Sequence, residues 1–328
     1  MTAARTLLAS ACAATALLGC GTKHETLVLP ATPTRIQVAL DAPADGPLAP
    51  LYAAVAGGDF TRGGLAVSIA PQPGAALASL AAGSVDIAVA SEPDVLRARD
   101  RGAGLVAIGA LVRGPLEAII SIAPHPITKV TQLEGKTVAA PATPLAAAEL
   151  DTILRSAGVA ASSVRRRDAG ADPARALTAR TADAILGRTD LDAVRLSRHR
   201  PSAIAIEDAA VPSYNRLVLV VRQSEARNRG PILRTFLQSL SAGLRTTLAT
   251  PTTAVDALVA ANSGISRALA SASLKAALPL ADPAHPYGFV DPVAWRAFDR
   301  WMLAAGLLTR PDDAARALTD EFLPGQGE

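Results

Sequence analysis

The sequence predicts an α/β chain made of two lobes in series, closed by a run of helices. Three observations predict it. Strand-like apolar runs alternate with short helical segments from residue 35 to about 111. The same rhythm restarts at 117, and after 221 only helical patterns remain. Half of the 328 residues are apolar and 19% are charged, so the chain can build a core and is not disordered. Aromatic residues make up only 3%, which leaves the core to Ala, Val, Leu and Ile.

The first strand is expected at 35–40, where polar and apolar residues alternate, followed by a Pro/Gly-rich loop over 41–47. A helix over 51–56 stops at Gly57-Gly58, and a strand follows at 65–70. A small-residue helix over 75–82 leads to a strand at 85–90, whose unbroken apolar character predicts burial on both faces. Helix 93–101 ends at Gly102, and strand 105–111 completes the first set. The second set has strands at 117–122, 136–140, 164–168, 183–186 and 203–206, with helices at 144–157, 173–180 and 190–198. Strand 217–221 (LVLVV) returns, and helices are expected at 232–248, 253–261, 266–278 and 292–305.

The amino terminus predicts export. Arg5 precedes an uncharged stretch over 6–18, too short for a spanning helix, which needs ~20 residues. It ends in Leu17-Leu18-Gly19-Cys20, which resembles the bacterial lipobox, with Cys20 as the acylated residue. An ordinary secretory signal with a chance cysteine is the plainer alternative. Cys12 leaves with the signal, so no thiol remains for a disulfide, a metal or nucleophilic chemistry. The expected organisation is a signal peptide at 1–19, a tether at 20–34, one lobe from 35–119 with 219–328, and the other from 120–218. Two crossing strands near 118–120 and 217–219 join them. Exported, tethered and bilobal, the chain suggests a clamshell receptor whose cleft lies at the carboxyl ends of the strands.

Other functions find little support. The net charge is +3, with no basic tract beyond Arg165-Arg166-Arg167, which argues against nucleic acid. That triplet reads as a solvated strand edge. His24, His125, His199 and His285 form no ligand-spaced pair, so neither metal nor cofactor is expected. There is no Gly-x-Ser-x-Gly and no phosphate loop.

A group of residues then resembles a known family. Leu40-Asp41, Ala49-Pro50-Leu51-Tyr52, Leu80 to Ala88, Ser91-Glu92-Pro93, Leu133-Glu134-Gly135-Lys136-Thr137 and Val211-Pro212-Ser213-Tyr214 resemble the solute-binding proteins related to thiamine-pyrimidine receptors, the NMT1/THI5-like group. Trp295, Gly306-Leu307-Leu308 and the run 319–324 continue the likeness. The resemblance implies a periplasmic-binding-protein fold of the type with two crossovers. It also implies a partner, the permease and ATPase of an ABC importer. With the export signal and Cys20, the expected form is a monomer anchored through its lipid on the extracytoplasmic side of the cell membrane. A sensing lipoprotein without transport, and an enzyme of pyrimidine synthesis, are the alternatives; the missing cysteine chemistry argues against the enzyme. The sequence departs from pyrimidine-binding members where they carry aromatic residues: Ala42 and Ser91 replace Trp and Tyr, and Arg188 to Asp192 replaces an aromatic stretch.

The candidate ligand residues are Asp45, Leu48, Ser91, Glu92, Thr143, Arg188, Asp190 and Tyr214, all at expected strand ends or loops. Asp45 contacts the ligand or stabilises a turn. Ser91 and Thr143 are helix caps, and the helix start at Thr143 can also attract an anion. Arg188 can hold an anion bidentately or sit solvated at the surface. Tyr214 forms a flat wall or packs the hinge. Arg188 and the helix start at Thr143 offer anion contacts, and Asp45, Glu92 and Asp190 offer amine or amide contacts. The expected solute is therefore small, polar and nitrogenous, zwitterionic or amino-bearing, with a thiamine-pyrimidine-like compound as an alternative.

Overall fold

The computed structural model describes residues 32–170, 172–281 and 287–325. The expected signal peptide and Cys20 lie outside these residues. Two five-stranded sheets form the frame. The first contains β1 (Thr34–Leu40), β2 (Leu65–Pro71), β3 (Ile87–Ala90), β4 (Leu105–Val112) and β10 (Leu217–Arg222), in the order β2-β1-β3-β10-β4. The second contains β5 (Glu117–Ser121), β6 (Thr137–Ala140), β7 (Arg165–Asp168), β8 (Ala184–Arg188) and β9 (Ser202–Ala205), in the order β7-β6-β8-β5-β9.

Each sheet is a parallel set with one antiparallel strand inserted. β1 pairs parallel with β2 and β3, while β10 pairs antiparallel with β3 and β4. β6 pairs parallel with β7 and β8, while β5 pairs antiparallel with β8 and β9. The inserted strands are the first after each passage between sheets. The passages fall between Val112 and Glu117 and between Ala205 and Leu217, so the expected division points at 119/120 and 218/219 fall inside β5 and β10. β7 is the edge strand of its sheet, and its three arginines are exposed there.

Period two sorts the first sheet's side chains into unlike faces. Ile36, Val38, Leu40, Ile87, Val89, Val106, Ile108, Leu219 and Val221 face α1 (Ala49–Ala56), α8 (Gly230–Ala249), α9 (Pro251–Ala261) and α10 (Arg267–Ala277). Ala39, Ala88, Ala90, Ala107 and Ala110 lie on the other face, in one cluster with α3 (Ala76–Ala81) and α4 (Glu92–Asp100). The abundant alanine therefore forms a thin-sided sheet face that lets helices approach closely. Both faces are covered, as expected for 85–90, of which Ile87–Ala90 forms the strand. Shorter helices α2 (Asp59–Arg62), α6 (Pro173–Thr178) and α7 (Gln223–Asn228) lie against β2, β8 and β10.

The expected helix at 190–198 is not continuous. Residues Thr189–Ala193 form a π-turn and Ser197–His199 a separate 3-10 turn. Asp192 folds back so that its Oδ2 accepts the Arg188 backbone N–H at 2.8 Å, which favours the wide turn over regular α-helix. Gly187 permits this, because a Cβ there would stand 2.9 Å from Asp192 Oδ2.

The scarce aromatics cluster where elements must be stapled. Tyr214 meets Phe298 at 4.5 Å between centroids, and Phe298 meets Trp301 at 5.3 Å. Phe298 and Trp301 lie on α11 (Pro292–Ala304), and Trp301 Nε1 donates to Thr152 Oγ1 on α5 (Pro144–Ser156) at 3.1 Å. A helix following the first sheet's last strand thus packs on the second lobe. Among the described residues, no helix is long and apolar enough to cross a membrane.

Close helix packing generates a stability prediction. A Cβ at Gly243 of α8 would fall 2.3 Å from the Pro50 carbonyl oxygen and 2.7 Å from Ala54 Cβ, both on α1. Gly243→Ala should cost about 1–3 kcal/mol through overpacking, despite the better helix propensity of alanine. Urea denaturation monitored by circular dichroism measures it; a stabilised variant would contradict this packing.

Candidate functional site

A cavity of about 340 Å³ lies at the carboxyl ends of the parallel strands β6, β7 and β8. This is where open α/β sheets bind ligands, beside the point where strand order reverses. Thr143, Leu145, Ala146 and Glu149 contribute from the start of α5, and Leu186, Gly187 and Arg188 from the end of β8. Asp192 and Arg195 come from the turn that follows. Glu117, Tyr214 and Arg216 come from the two passages between the lobes. A volume of this size suits one small ring with a few substituents. A larger hollow of about 720 Å³, lined by His125, Lys136, Arg180 and His199, lies at the other end of β6 and away from the crossovers.

Arg188 dominates the electrostatics, but as part of a clasp. Its Nη2 lies 2.6 Å from Asp45 Oδ2 in the first lobe and 2.5 Å from Asp190 Oδ2 in the second, and its Nε donates to Asp190 Oδ1 at 3.0 Å. Ser273 of α10 adds a hydrogen bond to Asp190 Oδ2 at 3.2 Å. Burial alone would lower the Arg188 pKa; the adjacent Asp45 and Asp190 carboxylates more than reverse this and raise it. The close approach of α10 depends on Gly46, where a Cβ would sit 2.2 Å from the Leu274 backbone nitrogen.

The other cavity arginines also have carboxylate neighbours. Arg216 Nε lies 3.3 Å from Glu117 Oε1, a close charge pair whose angle does not make a hydrogen bond. Arg195 lies 3.9 Å from Asp172. Against these stand two further acids. Asp192 is buried, its pKa raised by that burial, and its Oδ1 has no hydrogen-bond partner among the described residues. Glu149 is 2% exposed, and burial, followed by repulsion from Glu117, pushes its pKa up to about 8. It is therefore mostly a neutral acid at pH 7, accepting a hydrogen bond from Tyr214 Oη at 3.2 Å.

The sequence candidates divide into three groups. Thr143, Arg188 and Tyr214 line the cavity. Thr143 Oγ1 also caps α5, accepting from Ala146 N at 3.2 Å. Asp45 and Leu48 line a narrow cleft of about 10 Å³ that shares Arg188 and Arg216 with the cavity. Asp190, Ser91 and Glu92 line neither space. Asp190 is fully buried against Arg188, and Ser91 caps α4 by accepting from Asp94 N at 3.3 Å. Glu92 Oε2 accepts from Asn215 N at 2.8 Å and Asn215 Nδ2 at 2.6 Å, pinning the second passage to the first lobe. Full burial pushes the Glu92 pKa up to about 8, so it pins largely as a neutral acid.

Glu117, Glu149, Asp192 and Arg216 were not among the candidates. Glu149 carried a signal: it sits with Ala146, Leu150, Ile153 and Leu154 on the buried stripe of α5, where an acid is out of place. Among the described residues, no group of His, Cys, Asp and Glu is placed to hold a metal ion.

Two α/β lobes joined by two passages, with a cavity at the strand ends beside them, define a periplasmic-binding-protein fold. Residues 47–254 match the family described as NMT1/THI5 like, and the chain belongs to that family. It is 26% identical over 283 residues to the formylaminopyrimidine-binding protein of Halalkalibacterium halodurans, covering 82% of this chain and 86% of that one. It is also 26% identical over 152 residues to a putative thiamine biosynthesis protein of Haemophilus influenzae, covering 45% of this chain and 48% of that one. In structure it resembles the periplasmic aliphatic sulphonate binding protein SsuA of Escherichia coli, with a TM-score of 0.70 and 17% identity over 90% of this chain and 94% of that one. A Candida albicans protein with the generic periplasmic binding protein fold gives a TM-score of 0.62 at 15% identity, over 90% of this chain and 99% of that one.

The clasp predicts a ranking of variants. Arg188→Ala strands the fully buried Asp190 carboxylate and should cost about 3–5 kcal/mol. Asp45→Ala leaves Arg188 paired with Asp190 at a more accessible position and should cost about 1 kcal/mol. Chemical denaturation of both variants tests the order; equal costs would show that Asp190 does not need the arginine.

Proposed function

We propose that the protein is the substrate-binding component of an ABC importer for a small, neutral or amino-bearing nitrogen heterocycle of the thiamine-pyrimidine kind. It binds this solute between its lobes and presents it to a permease driven by an ATPase. The observation that carries the reading is the charge balance of the cavity. Arg188, Arg195 and Arg216 each lie beside a carboxylate, whereas Glu149 and Asp192 bring surplus acid groups. A sulfonate entering such a site would meet arginines whose charge already has a carboxylate beside it, and would have to rely on the start of α5 and the Arg216 Nε donor. A ring bearing N–H groups finds acceptors instead. Leu145, Leu186 and Leu191 supply apolar walls, and Tyr214 is the one aromatic side chain among the cavity's lining residues. The binding named for the Halalkalibacterium halodurans relative favours the same class.

Binding and release need only relative movement of the lobes, with no bond made or broken. The passages carrying Glu117 on one side and Tyr214 and Arg216 on the other sense both lobes, so a ligand touching them favours the closed arrangement. The division proposed here follows the sheets: β1 to β4, β10 and the helices after it form one lobe, and β5 to β9 form the other. The working form is a monomer held at the extracytoplasmic face of the membrane by acylated Cys20, with 1–19 removed.

Two measurements test this. In a thermal-shift series, 4-amino-2-methylpyrimidine should raise the melting temperature with increasing concentration, whereas an alkanesulfonate of similar size should not. A shift from the sulfonate alone would refute the proposed solute class. For the anchor, Cys20→Ser expressed in a bacterial host should leave the membrane fraction and appear soluble outside the cytoplasm. Continued membrane retention after normal signal cleavage would refute acylation at Cys20.

A further inference from the structure

We infer that Glu149 determines specificity by engaging the solute as a neutral carboxylic acid, offering an O–H donor and a C=O acceptor side by side. This rests on the proposed function and deepens it: the matching ligand edge has an acceptor next to a donor, as a ring nitrogen beside an exocyclic amine does.

The geometry carries the inference. Glu149 lies in the second turn of α5, where its side chain is 2% exposed and lines the cavity. Among the described residues its side chain has one hydrogen-bond partner: Tyr214 Oη donates to Oε1 at 3.2 Å. That bond occupies part of the acceptor capacity of Oε1 and leaves Oε2 for a ligand. Tyr214 is itself buried and clamped against Phe298, so the orientation of Glu149 is held before any solute arrives.

The surroundings favour the protonated form. The groups acting on Glu149 are Glu117 of β5, and Tyr214 and Arg216 of the second passage. Arg216 is shared with Glu117, 3.3 Å away, so its charge is not available to Glu149 alone. Arg188, Asp192 and Arg195 also line the cavity, with Arg188 committed to Asp45 and Asp190. Within α5 no residue before Glu149 is charged. Burial and the Glu117 carboxylate thus hold the Glu149 acid up to about pH 8.

The proton linkage has a definite sign. If the neutral acid binds the neutral ring, affinity falls by about tenfold per unit once pH exceeds the pKa of the free site. If an ionised Glu149 instead held a solute that is cationic at every pH, affinity would rise as pH increases toward that value. Ionised Glu149 with a protonated aminopyrimidine carries the same proton as the neutral pair, so Glu149→Gln, not the pH slope, separates those two.

The test is calorimetric titration of 4-amino-2-methylpyrimidine into wild type, Glu149→Gln and Glu149→Leu between pH 6 and 9.5, with circular dichroism verifying the fold of each. Glutamine keeps a donor and an acceptor at every pH; leucine keeps neither. The inference requires wild-type affinity to fall above about pH 8. It requires Glu149→Gln to retain affinity within about threefold at pH 7 and to show a flat pH profile. It requires Glu149→Leu to lose about tenfold or more. Loss of binding in Glu149→Gln, whatever the slope of the wild-type profile, overturns it in favour of an ionised Glu149 holding a cation. Binding unchanged in both variants overturns it while leaving the proposed solute class intact. A wild type that takes up no aminopyrimidine at any pH overturns the solute class and this inference together.

Discussion

Arg188 is the interaction on which the cleft depends. It stands at the end of β8 and holds one carboxylate from each lobe, Asp45 at 2.6 Å and Asp190 at 2.5 Å. Asp190 is fully buried, so its charge is tolerable only because the guanidinium is beside it. The same contact draws the first βα loop against the second lobe and brings Ser273 of α10 within reach of Asp190. It also removes the arginine from the cavity as a free cation, which leaves polar recognition to other groups.

A second constraint operates where the chain returns to the first sheet. Glu92 takes both the backbone and side-chain N–H groups of Asn215, while Tyr214 meets Phe298 at a tilt and Phe298 stacks on Trp301. The second passage is therefore held at adjoining residues by polar and aromatic contacts. Tyr214 and Arg216, on either side of Asn215, are presented to the cavity as a result. Two buried acids, Glu92 and Glu149, serve different ends by the same physics: desolvation keeps each neutral, one as a structural acceptor and the other facing the solute space.

Much of the fold was legible because it follows local periodicity. The alternation of short strands and helices identified two α/β sets and a helical tail, and Gly57, Gly102 and the prolines marked element ends. Thr143 and Ser91 were legible as caps because capping is a short-range pattern. The π-turn over Thr189–Ala193 was not legible, since it depends on Asp192 reaching back to Arg188 N through the space left by Gly187.

The fold class, the family likeness and three residues that line the cavity, Thr143, Arg188 and Tyr214, could be read along the chain. Each follows from patterns read along the chain: periodicity, caps and motif order. Which charges are committed follows instead from packing between distant segments. Arg188 and Asp45 are separated by 143 residues, and Glu92 and Asn215 by 123, so no local pattern could pair them. The lobes had to fold and meet before Arg188 became a clasp, Glu92 a pin and Glu149 the acid left facing the cavity. Whether a polar residue binds a solute or its own chain depends on burial and on the nearest opposite charge, and both are properties of three-dimensional packing.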